Sequence, residues 1–343
     1  MDKFELVGKN LDEIERFMLE NNQSKFRAKQ VYNWIYLKSV DSFEKMTDLS
    51  LETRELLKEK ALFSKLVIKD KQVSKDGTIK YLFELIDGNF VEAVLMRFDN
   101  RANLTACIST QVGCPMGCSF CATAKLGFKR NLDTNEIVQQ IFLIQADTGL
   151  KITNIVYMGQ GEPLLNFDNL LNSIKIFREQ FQIGARRITV STCGIIPQIE
   201  KLADLNFQST LAISLHASDN EKRKQIMPVS NKYPYDKLID TLKKYTDKTG
   251  RRVTIEYVLI KDVNDTLEDA KKLAYSISKL KSNVNLIVYN QNEYSQYKKP
   301  LKENVMRFKY ILEASGKKVT IRLERGGDID AACGQLSSKM KNK

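Results

Sequence analysis

Three of the six cysteines in this 343-residue chain fall within eight residues, in the segment CPMGCSFCATAKLGFKRNL, at the spacing Cys114-x3-Cys118-x2-Cys121. Thiolates are the usual ligands of iron–sulfur clusters, and a cubane has four irons. Three cysteines this close hold three corners and leave the fourth iron without a local protein ligand. An open coordination position marks a catalytic metal, whereas a structural site is closed. The competing reading is zinc held by these thiols and His216, the only histidine in the chain. Cys118 and Cys121 fit a zinc pair, but no second compact pair follows. The spacing favours a [4Fe–4S] cluster, with a zinc-stabilised RNA-binding module as the alternative from another class. Cys107, Cys193 and Cys333 are too dispersed to hold a second cluster.

Other residues could share a site with that loop. Gly159-Gln160-Gly161-Glu162-Pro163 follows the apolar run NIVYM; its glycines let backbone approach a ligand, and its carboxylate suits an ammonium group. Alone, such a segment is an ordinary tight turn. Ser191 follows RITV and Ser214-Leu215-His216 follows TLAI, offering hydroxyl, backbone and imidazole groups. Asn290 ends the run VNLIVY, where it could read an adenine edge or a carboxylate. Cys333 lies in GGDIDAACGQL between Ala332 and Gly334. Small neighbours let it move and let a large partner approach, although composition alone would make it an inert thiol.

The elements that must position these groups follow from periodicity. From about residue 104, strand-like runs (LTACIS, NIVYM, RITVST, TLAISL, VTIEYVLI, VNLIVY, VTIRL) alternate with amphipathic segments. One of these runs from Asp133 to Thr148, where Asp133 and Glu136 form a capping box. Strand–helix alternation predicts an α/β fold with a parallel sheet. Nearly every suggestive residue falls just past a strand end, the arrangement of a full or partial barrel; a doubly wound sheet concentrates its site at one switch point. Residues 1–65 read as a small helical domain with Phe26, Val31, Trp34 and Ile35 at helical spacing. Residues 66–98 read as a β-hairpin extension: Asp76-Gly77 and Asp87-Gly88 are turn dipeptides flanking the apolar run from Ile79 to Leu85. Residues 99–343 form the core with a C-terminal cysteine loop.

A net charge of +12 attracts polyanions, and nucleic acid before membrane, because no cationic amphipathic helix stands out. No stretch approaches the ~18 apolar residues of a membrane span, and no apolar leader follows Met1. A cytoplasmic protein with no membrane partner is expected, and reduced cytosolic thiols argue against a disulfide framework.

The loop with Phe120 before its last cysteine resembles the signature of radical S-adenosylmethionine (SAM) enzymes. The strings FRAKQVYNWIY, MGQGEPLLN, STCGIIP, ISLHA and DIDAACGQL resemble the radical SAM adenine-C2 RNA methyltransferases. These modify 23S ribosomal RNA and, in many cases, tRNA. The resemblance covers essentially the whole chain. It implies a partial (β/α)6 barrel, one [4Fe–4S] cluster on Cys114, Cys118 and Cys121, and two SAM molecules per turnover. Gly161, Glu162, Ser191, Ser214, Leu215, His216 and Asn290 match cosubstrate-binding positions. Cys333 matches the cysteine that receives a methyl group, whose carbon a 5′-deoxyadenosyl radical then activates for addition to C2. Cys107 matches the cysteine that attacks Cys333 to release product through a transient disulfide. Glu92, in VEAVLM, matches the acid that removes the C2 proton. The resemblance also implies RNA contact by the N-terminal domain, an external electron donor such as flavodoxin, and a monomer. Radical chemistry suits the target, since C2 of adenine is too electron-poor to attack a sulfonium and a cofactor must provide the route. The base must also be extruded or presented unpaired.

Two departures stand out: Gln160 where the family commonly has Met, and Gly327 where it often has Asp. Neither position supplies an essential thiol or carboxylate. Cys193 stands where a small residue is common and is read as buried and not a ligand. The related C8 methyltransferases of the resistance type typically read GEA where this chain has Gly161-Glu162-Pro163. They also lack the Arg-Gly that here is Arg325-Gly326. The C2 reaction is therefore favoured and C8 methylation is its alternative.

Overall fold

A computed structural model describes residues 3–63, 66–98 and 101–338; the expected boundary at residues 65/66 and the one after 98 adjoin segments outside this set. Within it, ten strands form one sheet: β1 (Val67–Val73), β2 (Ile79–Glu84), β3 (Phe90–Phe98), β4 (Arg101–Cys107), β5 (Asn154–Tyr157), β6 (Ile188–Thr192), β7 (Thr210–Ser214), β8 (Val253–Leu259), β9 (Ser282–Val288) and β10 (Lys318–Arg322). Their order in space is their order in the chain. From β4 to β10 every pairing is parallel, while β1 to β4 pair antiparallel.

Each parallel connection carries a helix: α4 (Thr134–Thr148), α5 (Phe167–Glu179), α6 (Ile196–Asp204), α7 (Tyr235–Thr249), α8 (Leu267–Ser276) and α9 (Lys302–Ala314). α4 begins at the predicted capping box: the Asp133 carboxylate accepts from Glu136 N, and Asp133 N donates to the Glu136 carboxylate. Gly149 ends it in the left-handed region, at φ +67°. Laid flat, β4 and β10 would stand ~29 Å apart at normal strand spacing. Yet Cys107 at the end of β4 and Arg322 at the end of β10 line one cavity. The sheet is therefore curled into an open barrel, as the placement of the candidate residues at strand ends predicted.

The expected hairpin is present as β2 and β3, but it gains β1, an edge strand. Val67 and Val73 on β1 are exposed and share their face with Lys69 and Lys71, so no apolar run betrayed it. Lysines on an edge strand also discourage pairing with other chains. β3 pairs with β4, with Val94 opposite Cys107, which makes the hairpin continuous with the barrel sheet.

The N-terminal helices are α1 (Leu11–Glu20), α2 (Lys25–Tyr36) and α3 (Leu51–Lys60). Val31 and Ile35 of α2 are buried and Trp34 is half-buried, as predicted, but Phe26 is 66% exposed. The buried face is Ala28, Val31 and Ile35, a stripe that leaves position 26 facing solvent. Tyr36 meets Phe181 edge-on at 5.2 Å, joining these helices to the barrel core.

Candidate active site

The parallel strand ends face two adjoining cavities of about 600 Å³ and about 150 Å³. Cys333 and Gly334 lie on the wall common to both, with Cys121 and Thr123. The smaller cavity collects Cys114, Cys118, Cys121, Gly161, Glu162 and His216, together with Ser191 and Ser214. The larger holds Cys107, Cys333, Asn290 and Arg322. Residues scattered across the chain thus converge as the strand-end reading required.

Two hydrogen bonds tie the cysteine loop to the Cys333 loop: Ala122 N donates to Gly334 O at 2.8 Å and Thr123 Oγ1 to Leu336 O at 2.8 Å. Burial raises Cys121 to about 11 and pushes Cys114 up as well, with the neighbouring thiols adding to the shift. Buried thiols that resist ionisation suit a metal centre, whose charge drives the protons off. Among the described residues, no three His, Cys, Asp or Glu side chains converge on a single metal ion. A cluster spreads its thiolates over several irons, and the donor set fits one.

His216 does not fit zinc. Its Nδ1 accepts a hydrogen bond from Val258 N at 3.0 Å, so the neutral ring carries its proton on Nε2 and has no free lone pair there. Burial and Arg223 lower its pKa to about 3, which keeps it neutral. Phe120 packs against it edge-on at 5.1 Å.

Glu162 is buried, with burial raising its pKa. Its two carboxylate oxygens accept from Leu164 N at 3.0 Å and Cys193 N at 2.7 Å. Gly161 sits at φ +101°, and a Cβ there would meet the Gln111 side chain at 2.6 Å, so this turn admits only glycine. Ser191 and Ser214 hydroxyls lie 3.2 Å apart. The Leu215 side chain is fully buried in the core and lines neither cavity. What it offers is backbone, Leu215 N donating to Glu256 O and Leu215 O accepting from Arg223. Asn290 Nδ2 donates to Cys333 O at 3.3 Å, while its buried Oδ1 has no hydrogen-bond partner among the described residues. Cys193, read as a buried small residue, is half-buried on the wall of the cavity that holds Cys118, and that neighbouring thiol pushes its pKa up.

In the larger cavity, Cys107 is buried and Cys333 exposed. Burial, with Cys333 adding and Arg322 opposing, raises Cys107 to about 12. Register places Lys80, Val94 and Cys107 side by side across β2, β3 and β4, with Glu92 two residues from Val94 on the same face. Glu92 is 1% exposed and lines neither cavity. Its Oε1 lies 3.1 Å from Lys80 Nζ, and its Oε2 accepts from Ser337 N at 2.7 Å and Ser338 N at 2.9 Å.

The residues that sequence reasoning missed are mostly charges. Arg322 Nη1 stands 3.8 Å from Glu256 Oε2 and 3.4 Å from Met158 Sδ. Burial opposes its charge, but Cys333, Glu256 and Cys107 raise its pKa overall. Glu256 also accepts from Asn285 at 2.9 Å. Arg223, wholly buried, donates to the carbonyls of Cys193, Ser214 and Leu215 and so fixes two strand ends beneath the smaller cavity. Gln160, the departure from the family pattern, donates to Ser338 Oγ at 2.6 Å and accepts from Glu92 N at 3.3 Å. Gly327, the other departure, lies in the turn before Asp328, whose carboxylate accepts from Ser74 Oγ at 2.6 Å.

Two stretches match family models: residues 108–274 match the radical SAM superfamily, and residues 4–63 match a "Ribosomal RNA large subunit methyltransferase N-terminal domain". A protein of Alkaliphilus oremlandii (strain OhILAs) named "Probable dual-specificity RNA methyltransferase RlmN" is 47% identical over 342 residues, 99% of each chain. Its namesake in Pseudothermotoga lettingae is 52% identical over 91% of each chain. The crystal structure of a radical SAM methyltransferase from Sphaerobacter thermophilus superposes with a TM-score of 0.92 at 39% identity, covering 98% of this chain and 100% of that one.

Proposed function

Because this chain belongs to the radical SAM superfamily and, within it, to the dual-specificity RNA methyltransferases RlmN, we propose that it methylates C2 of an adenosine in 23S ribosomal RNA and in tRNA. The observation that carries the reading is the position of Cys333 on the wall between the three-cysteine cavity and the cavity holding Cys107. A group there can exchange with a cosubstrate on one side and a base on the other.

Cys114, Cys118 and Cys121 would hold the cluster. With SAM at its open iron, that centre supplies the one-electron chemistry an electron-poor carbon requires. The chain's own residues do the rest. The turn at Gly161, with the Ser191–Ser214 pair and His216, shapes the cosubstrate pocket. The partnerless Oδ1 of Asn290 suits an N–H donor and not a carboxylate, which narrows its choice to an amino group. Cys333 accepts a methyl group from one SAM and carries the carbon to the base. Glu92 takes the proton that C2 loses. The Cys107 thiolate then attacks Cys333 Sγ, breaking its bond to carbon; the electron pair stays with carbon, which gains a proton and leaves as the methyl of the product. The resulting Cys107–Cys333 disulfide needs a thiol reductant before the next turnover.

The basic surface, at +12 overall, and the N-terminal helices position the RNA through phosphate contacts. An electron donor of the flavodoxin type, a monomeric state and a cytoplasmic location belong to the same proposal. Among the described residues, no helix is long and apolar enough to cross a membrane. Mass analysis of nucleosides from RNA incubated with reconstituted enzyme, reductant and SAM should yield 2-methyladenosine. A yield of 8-methyladenosine would move the chain to the resistance type of reaction, and absence of either product would refute the reading.

A further inference from the structure

Lys80 is 5% exposed in β2, between the buried Ile79 and Tyr81. Burying an ammonium costs several kcal/mol unless a charge and hydrogen bonds offset it, so its position demands a partner. That partner is Glu92, itself 1% exposed, at 3.1 Å. Lys80 Nζ also reaches Asp330 O at 3.4 Å. Asp330 precedes Cys333 by three residues, while Ser337 and Ser338, which donate to the other oxygen of Glu92, follow it. The buried pair therefore grips the Cys333 loop at both ends.

We propose that Lys80 is a positioning residue for Glu92, holding the carboxylate aimed while the Cys333 loop moves. With the loop down, both oxygens of Glu92 are occupied and it cannot take a proton. When the loop lifts to carry its carbon to the base, the Ser337 and Ser338 amides leave Oε2. Lys80 keeps Oε1, so the carboxylate stays in place with Oε2 open as an acceptor; without the lysine, nothing but packing would fix its direction. This rests on the assignment of Glu92 as the base.

The test uses reconstituted holoenzyme with an RNA substrate and follows two quantities: methylation of Cys333, by intact-protein mass, and decay of the covalent enzyme–RNA adduct. Lys80→Met should leave Cys333 methylation within about twofold of wild type, yet slow adduct decay by about tenfold or more, the effect of losing one charge-assisted hydrogen bond. Lys80→Arg should restore decay. Lys80→Gln keeps a hydrogen-bond donor without charge, guards against a variant that fails to fold, and should behave as Lys80→Met does. Equal losses in both steps without rescue by arginine, or normal decay in both neutral variants, would overturn the proposal. The parent assignment is separately exposed: Glu92→Gln must also trap the adduct, and normal decay there would remove the base role whatever Lys80 does.

Discussion

On the side of Cys333 that faces the three cysteines, polar side chains grip backbone: Glu162 holds two amides and Arg223 three carbonyls. On the side that faces Cys107, they grip one another or the C-terminal segment: Lys80 with Glu92, Gln160 with Ser338, and Arg322, which reaches across to Glu256 on the wall of the smaller cavity. Backbone at a strand end cannot shift without breaking the sheet, whereas side-chain pairs can part and re-form. The side that must hold a cofactor still is tied to the scaffold. The side that must pass a carbon between two thiols is tied by contacts that can release.

The largest effect expected tests whether the two sides are separable at all. Cys333→Ala should abolish RNA methylation and adduct formation but keep the brown colour of the anaerobically reconstituted protein; Cys118→Ala should lose both. A colourless Cys333→Ala protein would show that the thiol on the shared wall is part of the cluster site. Next, Cys107→Ala should trap an enzyme–RNA adduct through Cys333, visible as a denaturation-resistant band shift, and free turnover of that variant would remove its resolving role.

The same thiol sets a pH dependence. A Cys107 held up at about 12 is almost wholly protonated at neutral pH, and its thiolate fraction rises tenfold per unit below that value. Adduct decay, followed by gel, should therefore accelerate about tenfold per unit between about pH 7 and about pH 9. A flat profile would mean that thiolate formation is not limiting.

Glycine substitutions sharpen the contrast further. Gly161→Ala combines φ +101° with a 2.6 Å clash and should cost about 1–3 kcal/mol, read as a lower melting temperature and weaker SAM binding. Gly334, at φ +84°, has only Phe120 O near the methyl that alanine would add, at 3.6 Å; its alanine variant should cost about 1 kcal/mol. Equal losses would contradict a rigid side and a yielding one. Smallest of all, Ser74→Ala removes the hydroxyl that donates to Asp328 and should cost about 1 kcal/mol in a thermal melt.

The cysteine loop, the glycine turn and the strand–helix alternation were legible because each signal is local: a spacing, a dipeptide, a period. Lys80, Glu256 and Arg322 were not, because each lies in a strand-like run and meets a partner far away in the chain, Lys80 the Asp330 carbonyl and Glu256 and Arg322 each other. The readable hint was a charge interrupting an apolar run, as Lys80 does in IKYLFELI and Glu256 in VTIEYVLI. The extra edge strand β1 was missed because exposed lysines broke its pattern.

The neighbour-by-neighbour order of the sheet has a consequence for biosynthesis. A chain emerging from the ribosome can add each parallel strand to the one made just before it, since no strand must wait for a later partner. Apart from Cys333 and Gly334, the pocket over the three cysteines is lined by the cysteine loop, by β5 to β9 and by residues that follow them. The methyl carrier arrives only with β10 and the residues after it, and these must reach back to β2 and β3 for their anchors. A nascent protein thus acquires the place for its radical source before it acquires the thiol that source acts upon.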